Sequence, residues 1–168
     1  MRLALGLLVL AAAWAGAAPP ALTVYLVRHA EKALTPGLAD PPLTAAGQAR
    51  AQALARTLRR AHPAALFTTN TRRARATLGP LATATGLAPC VYDAGQPQAL
   101  ADTLRRAYTG RAVVVVGHSN TLLPLLTALG VAPLPLPEIG DAEYSYLFEV
   151  RVPAQGPATV RVRHYGSK

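Results

Sequence analysis

The sequence is short of several things. It has one cysteine, Cys90, one methionine and one tryptophan in 168 residues. A single cysteine forms no intrachain disulfide and no cysteine-based zinc site, which excludes a disulfide-stapled scaffold and a zinc finger. Aromatic residues make up only 5%. Lysine occurs twice, against fifteen arginines, and Asp and Glu total 8. The net charge of +9 is therefore almost all arginine. No run of five basic residues occurs, and the basic pairs (Arg59-Arg60, Arg72-Arg73, Arg105-Arg106) are not interleaved with aromatics. A single-strand nucleic-acid surface needs that interleaving. The charge thus favours small anions such as phosphates over nucleic acid.

What is present is apolar and periodic. Hydrophobic residues make up 51%, although 35 residues are alanine. The length fits one domain with its own core. Met1-Arg2, the apolar run Leu3 to Trp14 and the small-x-small Ala15-Gly16-Ala17 have the pattern of a cleaved export signal over residues 1–17. Ala13-Trp14-Ala15 offers a second cut. The run is shorter than the roughly 20 residues of a membrane span. The expectation is a secreted or periplasmic domain over 18–168, with no stable membrane anchor once the signal is cut and with Cys90 buried.

Strand and helix signals then alternate. Leu22 to Val27 is a short buried-strand run, and Ala33 to Pro42 is loop. Thr44 caps a helix whose Ala51, Leu54, Ala55 and Leu58 form one stripe, and Pro63 stops it. A strand over Ala65 to Thr69 precedes a helix over Arg72 to Thr85, where Pro80 predicts a kink or break and Gly86 an end. Pro89 to Tyr92 reads as a strand, Gln98 to Tyr108 as a helix, Ala112 to Val116 as a strand and Thr121 to Leu129 as a helix. Glu143 to Val152 and Thr159 to His164 read as two final strands. This alternation predicts a three-layer α/β/α sandwich on a mostly parallel mixed sheet.

Sites in such sheets lie beyond the C-terminal strand ends. Arg28-His29 follows one strand and Gly117-His118 another. A third exit leads to Arg72-Arg73 and a fourth ends in Asp93. Histidine is a nucleophile that forms covalent intermediates. Arginine forks and helix N-termini bind phosphate. Together they suit phosphoryl transfer, which needs positioning and positive groups around the equatorial oxygens. Ser119 and Asn120 open the last helix and add donors. His62 and His164 show no zinc-enzyme spacing, and Gly117-His118-Ser119-Asn120 lacks the G-x-S-x-G elbow of a serine nucleophile. Neither a metal nor a cofactor is expected.

These motifs resemble those of the histidine phosphatase superfamily, the phosphoglycerate-mutase-like proteins. The resemblance lies in Tyr25-Leu26-Val27-Arg28-His29-Ala30-Glu31, Pro42-Leu43-Thr44-Ala45-Ala46-Gly47, Thr69-Asn70-Thr71-Arg72-Arg73-Ala74-Arg75-Ala76-Thr77 and Val115-Val116-Gly117-His118-Ser119-Asn120, in that order. The spacing of Thr69, Arg73 and Thr77 selects Arg73 over Arg72. The resemblance implies that His29 becomes phosphohistidine, that Arg28, Arg73 and His118 hold the phosphoryl oxygens, and that a carboxylic acid protonates the leaving oxygen. No metal is implied. The commonest first motif has Gly where Ala30 stands. The interval from Arg73 to His118 lacks the usual glutamate; its only carboxylates are Asp93 and Asp102. Asp93, at a strand exit, is preferred as the acid; Asp102 and Glu31 are its rivals. Glu138 to Tyr144 reads as a solvated loop in preference to the alternative, a rim of the site whose acidic residues select positively charged parts of a substrate.

The expected function is an exported, metal-independent phosphatase acting on a phosphorylated small molecule or phosphoprotein. A mutase-type phosphotransferase on the same site, or a non-catalytic phosphate binder, is the alternative. The short Arg73–His118 interval and the export signal favour hydrolysis.

Overall fold

The computed structural model describes residues 20–34 and 36–167. The export signal expected over 1–17 lies outside the described residues. The chain runs β1 (Leu22–Arg28), α1 (Ala45–Leu58), a 3-10 turn (Arg59–Ala61), β2 (Ala65–Thr68), α2 (Arg72–Thr85), β3 (Cys90–Val91), α3 (Pro97–Tyr108), β4 (Ala112–Gly117), α4 (Ser119–Ala128), β5 (Tyr146–Val152) and β6 (Thr159–His164). The strands form one sheet in the order β3-β2-β4-β1-β5-β6. β1 to β4 are mutually parallel; β5 and β6 return antiparallel on the other edge. This is the expected mixed sheet in an α/β sandwich.

Two cores flank the sheet, because successive strand residues face opposite sides. Val27, Leu66, Val114, Val116 and Leu147 pack with Leu54 and Leu58 of α1 and Leu78 and Leu81 of α2. Leu26, Phe67, Val113, Val115 and Phe148 pack with Leu100 and Leu104 of α3 and Leu122, Leu125 and Leu126 of α4. The central strands β1 and β4 are covered on both faces, which is why VVVV carries no polar alternation. Among the described residues no helix is long and apolar enough to cross a membrane.

The cap expected at Thr44 is present: its side chain accepts from Gly47 N. Thr71 caps α2 in the same way through Ala74 N, and Gly86 ends it at φ 71°. Three expectations differ from the fold. α2 runs unbroken through Pro80. The proline removes the donor for the Ala76 carbonyl, and Ala76 is exposed, where water can serve that carbonyl. The third strand shrinks to Cys90–Val91 on the sheet edge, and Cys90 is exposed, not buried. The run from Glu143 joins the sheet only at Tyr146, because the preceding residues are drawn into the site.

Candidate active site

The register of β1 against β4 builds the site. Arg28 pairs with Gly117, so the next residue of each strand, His29 and His118, emerge side by side beyond the sheet. His29 N donates to Gly117 O at 2.9 Å, and the two imidazole centroids lie 5.2 Å apart. β2 lies on the other side of β4, with Thr68 opposite Val116. Thr69 therefore reaches His118, its Oγ1 2.9 Å from Nε2. Gly117 fits here because an added Cβ would crowd Tyr92 Oη at 2.9 Å and Thr121 Oγ1 at 3.0 Å.

A pocket of about 360 Å³ is lined by Arg28, His29, Lys32, Arg73, His118, Ser119, Asn120, Thr121 and Asp141. The fold thus brings together Arg28, His29, Arg73, His118, Ser119 and Asn120, the residues selected from the sequence. Asp93 is not among the lining residues. Its Oδ1 turns back to accept from Gly95 N at 2.8 Å, an Asx turn on an exposed loop. Asp102 lies on the exposed face of α3, bonded to Gln98 and 3.6 Å from Arg105. Glu31 is also diverted: its carboxylate takes Nε and Nη2 of Arg50 at 2.7–3.0 Å. Arg50 in turn holds the carbonyls of Tyr165 and Ser167, so this half-buried pair ties the segment after β6 to α1. Gly47 is required beside it, since a Cβ there would collide with the Glu31 carbonyl.

Sequence reading missed four positioning contacts. Thr77, fully buried, accepts from Ala30 N at 2.9 Å and donates to Arg73 O at 2.7 Å. It locks the residue after His29 to α2. Asp40 accepts from Arg72 N at 2.9 Å and pairs with Arg73 Nη1 at 3.3 Å, fixing the arginine from the loop side. The segment read as a solvated loop clamps Arg28: Nη1 donates to the carbonyls of Gly140 at 2.8 Å, Asp141 at 3.0 Å and Glu143 at 3.3 Å. The Tyr144 ring lies 4.2 Å from the same guanidinium. The Arg28 clamp uses backbone carbonyls and a single ring, so no charge or spacing pattern announces it. Asp141, 3.9 Å from Arg28 Nη2, is the one carboxylate lining the pocket.

The protonation states follow from the contacts. His29 Nδ1 lies 2.8 Å from Ala30 O. A carbonyl only accepts, so Nδ1 carries the hydrogen and the neutral ring leaves a lone pair on Nε2. Burial first, then the charges of His118, Arg73 and Arg28, lower the His29 pKa to about 4 against an opposing hydrogen bond to Ala30. Burial and the arginines likewise bring His118 to about 4. Both rings are neutral at pH 7. The Nε atoms of Arg28 and Arg73 are buried without any partner. Buried N–H groups are nearly always bonded, so two unpaired guanidinium donors mark a site built for acceptor oxygens. Among the described residues no cluster of three or more His, Cys, Asp and Glu has the makings of a metal site.

Comparison with known proteins agrees. The model of the histidine phosphatase superfamily (branch 1) matches residues 24–95. No curated protein matches. Mycobacterial glucosyl-3-phosphoglycerate phosphatase superposes with a TM-score of 0.69 at 18% identity, covering 88% of this chain and all of the other. The protein histidine phosphatase SixA, solved with tungstate, gives 0.67 at 20% identity over 84% of this chain and 96% of its own. YhfR of Bacillus stearothermophilus gives 0.67 at 20% over 87% and 98%. These motifs stand around one pocket on the fold of those structures, and residues 24–95 match the histidine phosphatase superfamily (branch 1) model.

Proposed function

We propose that this protein is a phosphatase that hydrolyses phosphomonoesters through a phosphohistidine on His29. One observation carries the reading: a neutral imidazole with a free Nε2 stands beside two arginines whose buried Nε–H groups lack partners. A phosphoryl group satisfies both features at once.

In the first step the Nε2 lone pair forms a bond to phosphorus and the bond to the bridging oxygen breaks. The leaving oxygen takes a proton from a carboxylic acid. Asp141, the carboxylate that lines the pocket, takes this role in place of Asp93. Arg28, Arg73, the α4 N-terminus at Ser119 and Asn120, and His118 hold the three equatorial oxygens. In the second step Asp141 takes a proton from water as the water oxygen attacks phosphorus. The P–N bond breaks, and inorganic phosphate and neutral His29 are restored. None of these steps uses a metal. Only α2, β3 and α3 lie between Arg73 and β4, so no inserted domain covers the pocket. That openness to water favours hydrolysis over transfer to a second substrate.

The relatives named above act on a glucosyl phosphoglycerate and on protein phosphohistidine, a range that leaves the substrate class to this chain's own pocket. The export-signal pattern of residues 1–17 supports a secreted or periplasmic enzyme, and cell fractionation with N-terminal sequencing tests it. The activity is tested by phosphate release from a phosphomonoester in EDTA. Release is expected for the wild type and lost in His29→Ala. Release that persists in His29→Ala contradicts the reading.

A further inference from the structure

The phosphate pocket adjoins a second one of about 450 Å³, lined by Arg28, Lys32, Leu34, Asp141, Ala142 and Tyr144. The two share Arg28, Lys32 and Asp141. Their chemistry differs. The first offers guanidinium, imidazole, hydroxyl and amide groups. The second adds an aliphatic side chain, a methyl group and an aromatic ring. Leu34 is 87% exposed, the most exposed large hydrophobic among the described residues. Tyr144 is fixed by its contact with Arg28, and the carbonyls on either side of Ala142 are bonded to Arg28 as well. The Asp141–Tyr144 wall of this pocket is therefore held in place, not a free loop.

We infer that this second pocket is the leaving-group subsite and that it takes an aromatic or other apolar alcohol. The inference rests on the phosphatase reading. Continuity sets the occupant: a phosphoryl group among Arg28, His29 and His118 must send its organic part out of the first pocket, and the shared rim leads into this one. The shared Asp141 then stands where the bridging oxygen crosses, as its proton donor requires. A sugar or glycerol moiety can bond Lys32 and Asp141 but leaves the Leu34, Ala142 and Tyr144 surfaces without apolar cover. An aryl or aralkyl group covers those surfaces and gains their burial.

The test compares benzyl phosphate with glycerol phosphate, both alkyl esters, in the wild type, Leu34→Ser and Leu34→Phe. In parallel, calorimetry compares benzylphosphonate with methylphosphonate, which bind without turnover. The wild type is expected to favour the benzyl compound by about tenfold in kcat/KM and in affinity. Leu34→Ser is expected to bring both ratios toward one, and Leu34→Phe to keep them. Equal handling of the two esters, or an equal loss for both in Leu34→Ser, overturns the subsite while leaving the phosphatase reading intact. Benzyl-selective phosphonate binding without any ester turnover does the reverse: it supports the subsite and removes the phosphatase reading.

Discussion

Lowering the pH from 7 to 5 should cost the folded protein about 2 kcal/mol through its two site histidines alone. Folding lowers both pKa values from 6.5 to about 4, with burial the largest cause for each. Between pH 6.5 and 4 the unfolded chain then binds more protons than the folded one. Stability therefore rises with pH across this window, is complete above about 6.5, and is lost as the pH falls toward 4. A shift of this size gives about 1.8 kcal/mol per histidine between pH 7 and 5. Both rings open on one side to the pocket, so solvent screening reduces this to about 1 kcal/mol each. Two kcal/mol corresponds to roughly 4–8 °C in Tm for a domain of this size. The assay is thermal unfolding at pH 7, 6 and 5 for the wild type and for His29→Asn/His118→Asn, which cannot titrate there. An asparagine amide at position 29 can still donate to Ala30 O. The double variant should lose about 4–8 °C less than the wild type. Saturating phosphate should shrink the wild-type loss too, since a bound anion favours the imidazolium. If wild type and double variant fall in parallel, the histidines are not held neutral by the fold and the reasoning is wrong.

Other expectations are narrower. Thr77→Val leaves the buried Ala30 N–H without its acceptor; chemical denaturation should show a loss of about 2 kcal/mol, and steady-state kinetics a fall in kcat of about tenfold. Glu31→Gln removes one charge of the pair that Arg50 binds through two nitrogens; it should lower stability by about 2 kcal/mol, while phosphohistidine formation in the folded protein is retained. Asp141→Asn should cut turnover of benzyl phosphate by about a hundredfold and of p-nitrophenyl phosphate by less than about threefold, because the second leaving group needs little protonation. Equal losses on the two esters would return Asp141 to a structural role.

The parts of this protein written in local pattern were readable. Short β-branched runs that end in Arg-His and Gly-His mark strand exits, and in a parallel sheet all such exits share one edge. The β1–β4 pairing that sets His29 beside His118 is a consequence of sheet order, which only the fold displays. Carboxylates were harder. Asp93 stands at a strand exit as an acid should, but a turn closed on Gly95 N directs it away. Glu31 has the right distance from His29 in sequence, yet its partner Arg50 is 19 residues on and claims it. The Gly140–Tyr144 segment reads as solvated because it holds Arg28 mainly through carbonyls, which every residue has. Asp40 sits in a Pro- and Gly-containing loop whose spacing gives no hint that it caps α2 and meets Arg73.

The covalent role of His29 is tested most directly by rapid-quench trapping. Wild type and His29→Ala are mixed with a labelled phosphomonoester in EDTA, quenched, and assayed for protein-bound label and free phosphate. A phosphohistidine mechanism predicts label that is acid-labile and base-stable, on the wild type only, with phosphate release at a matching rate. Phosphate release with no such label, or label that survives in His29→Ala, would contradict it.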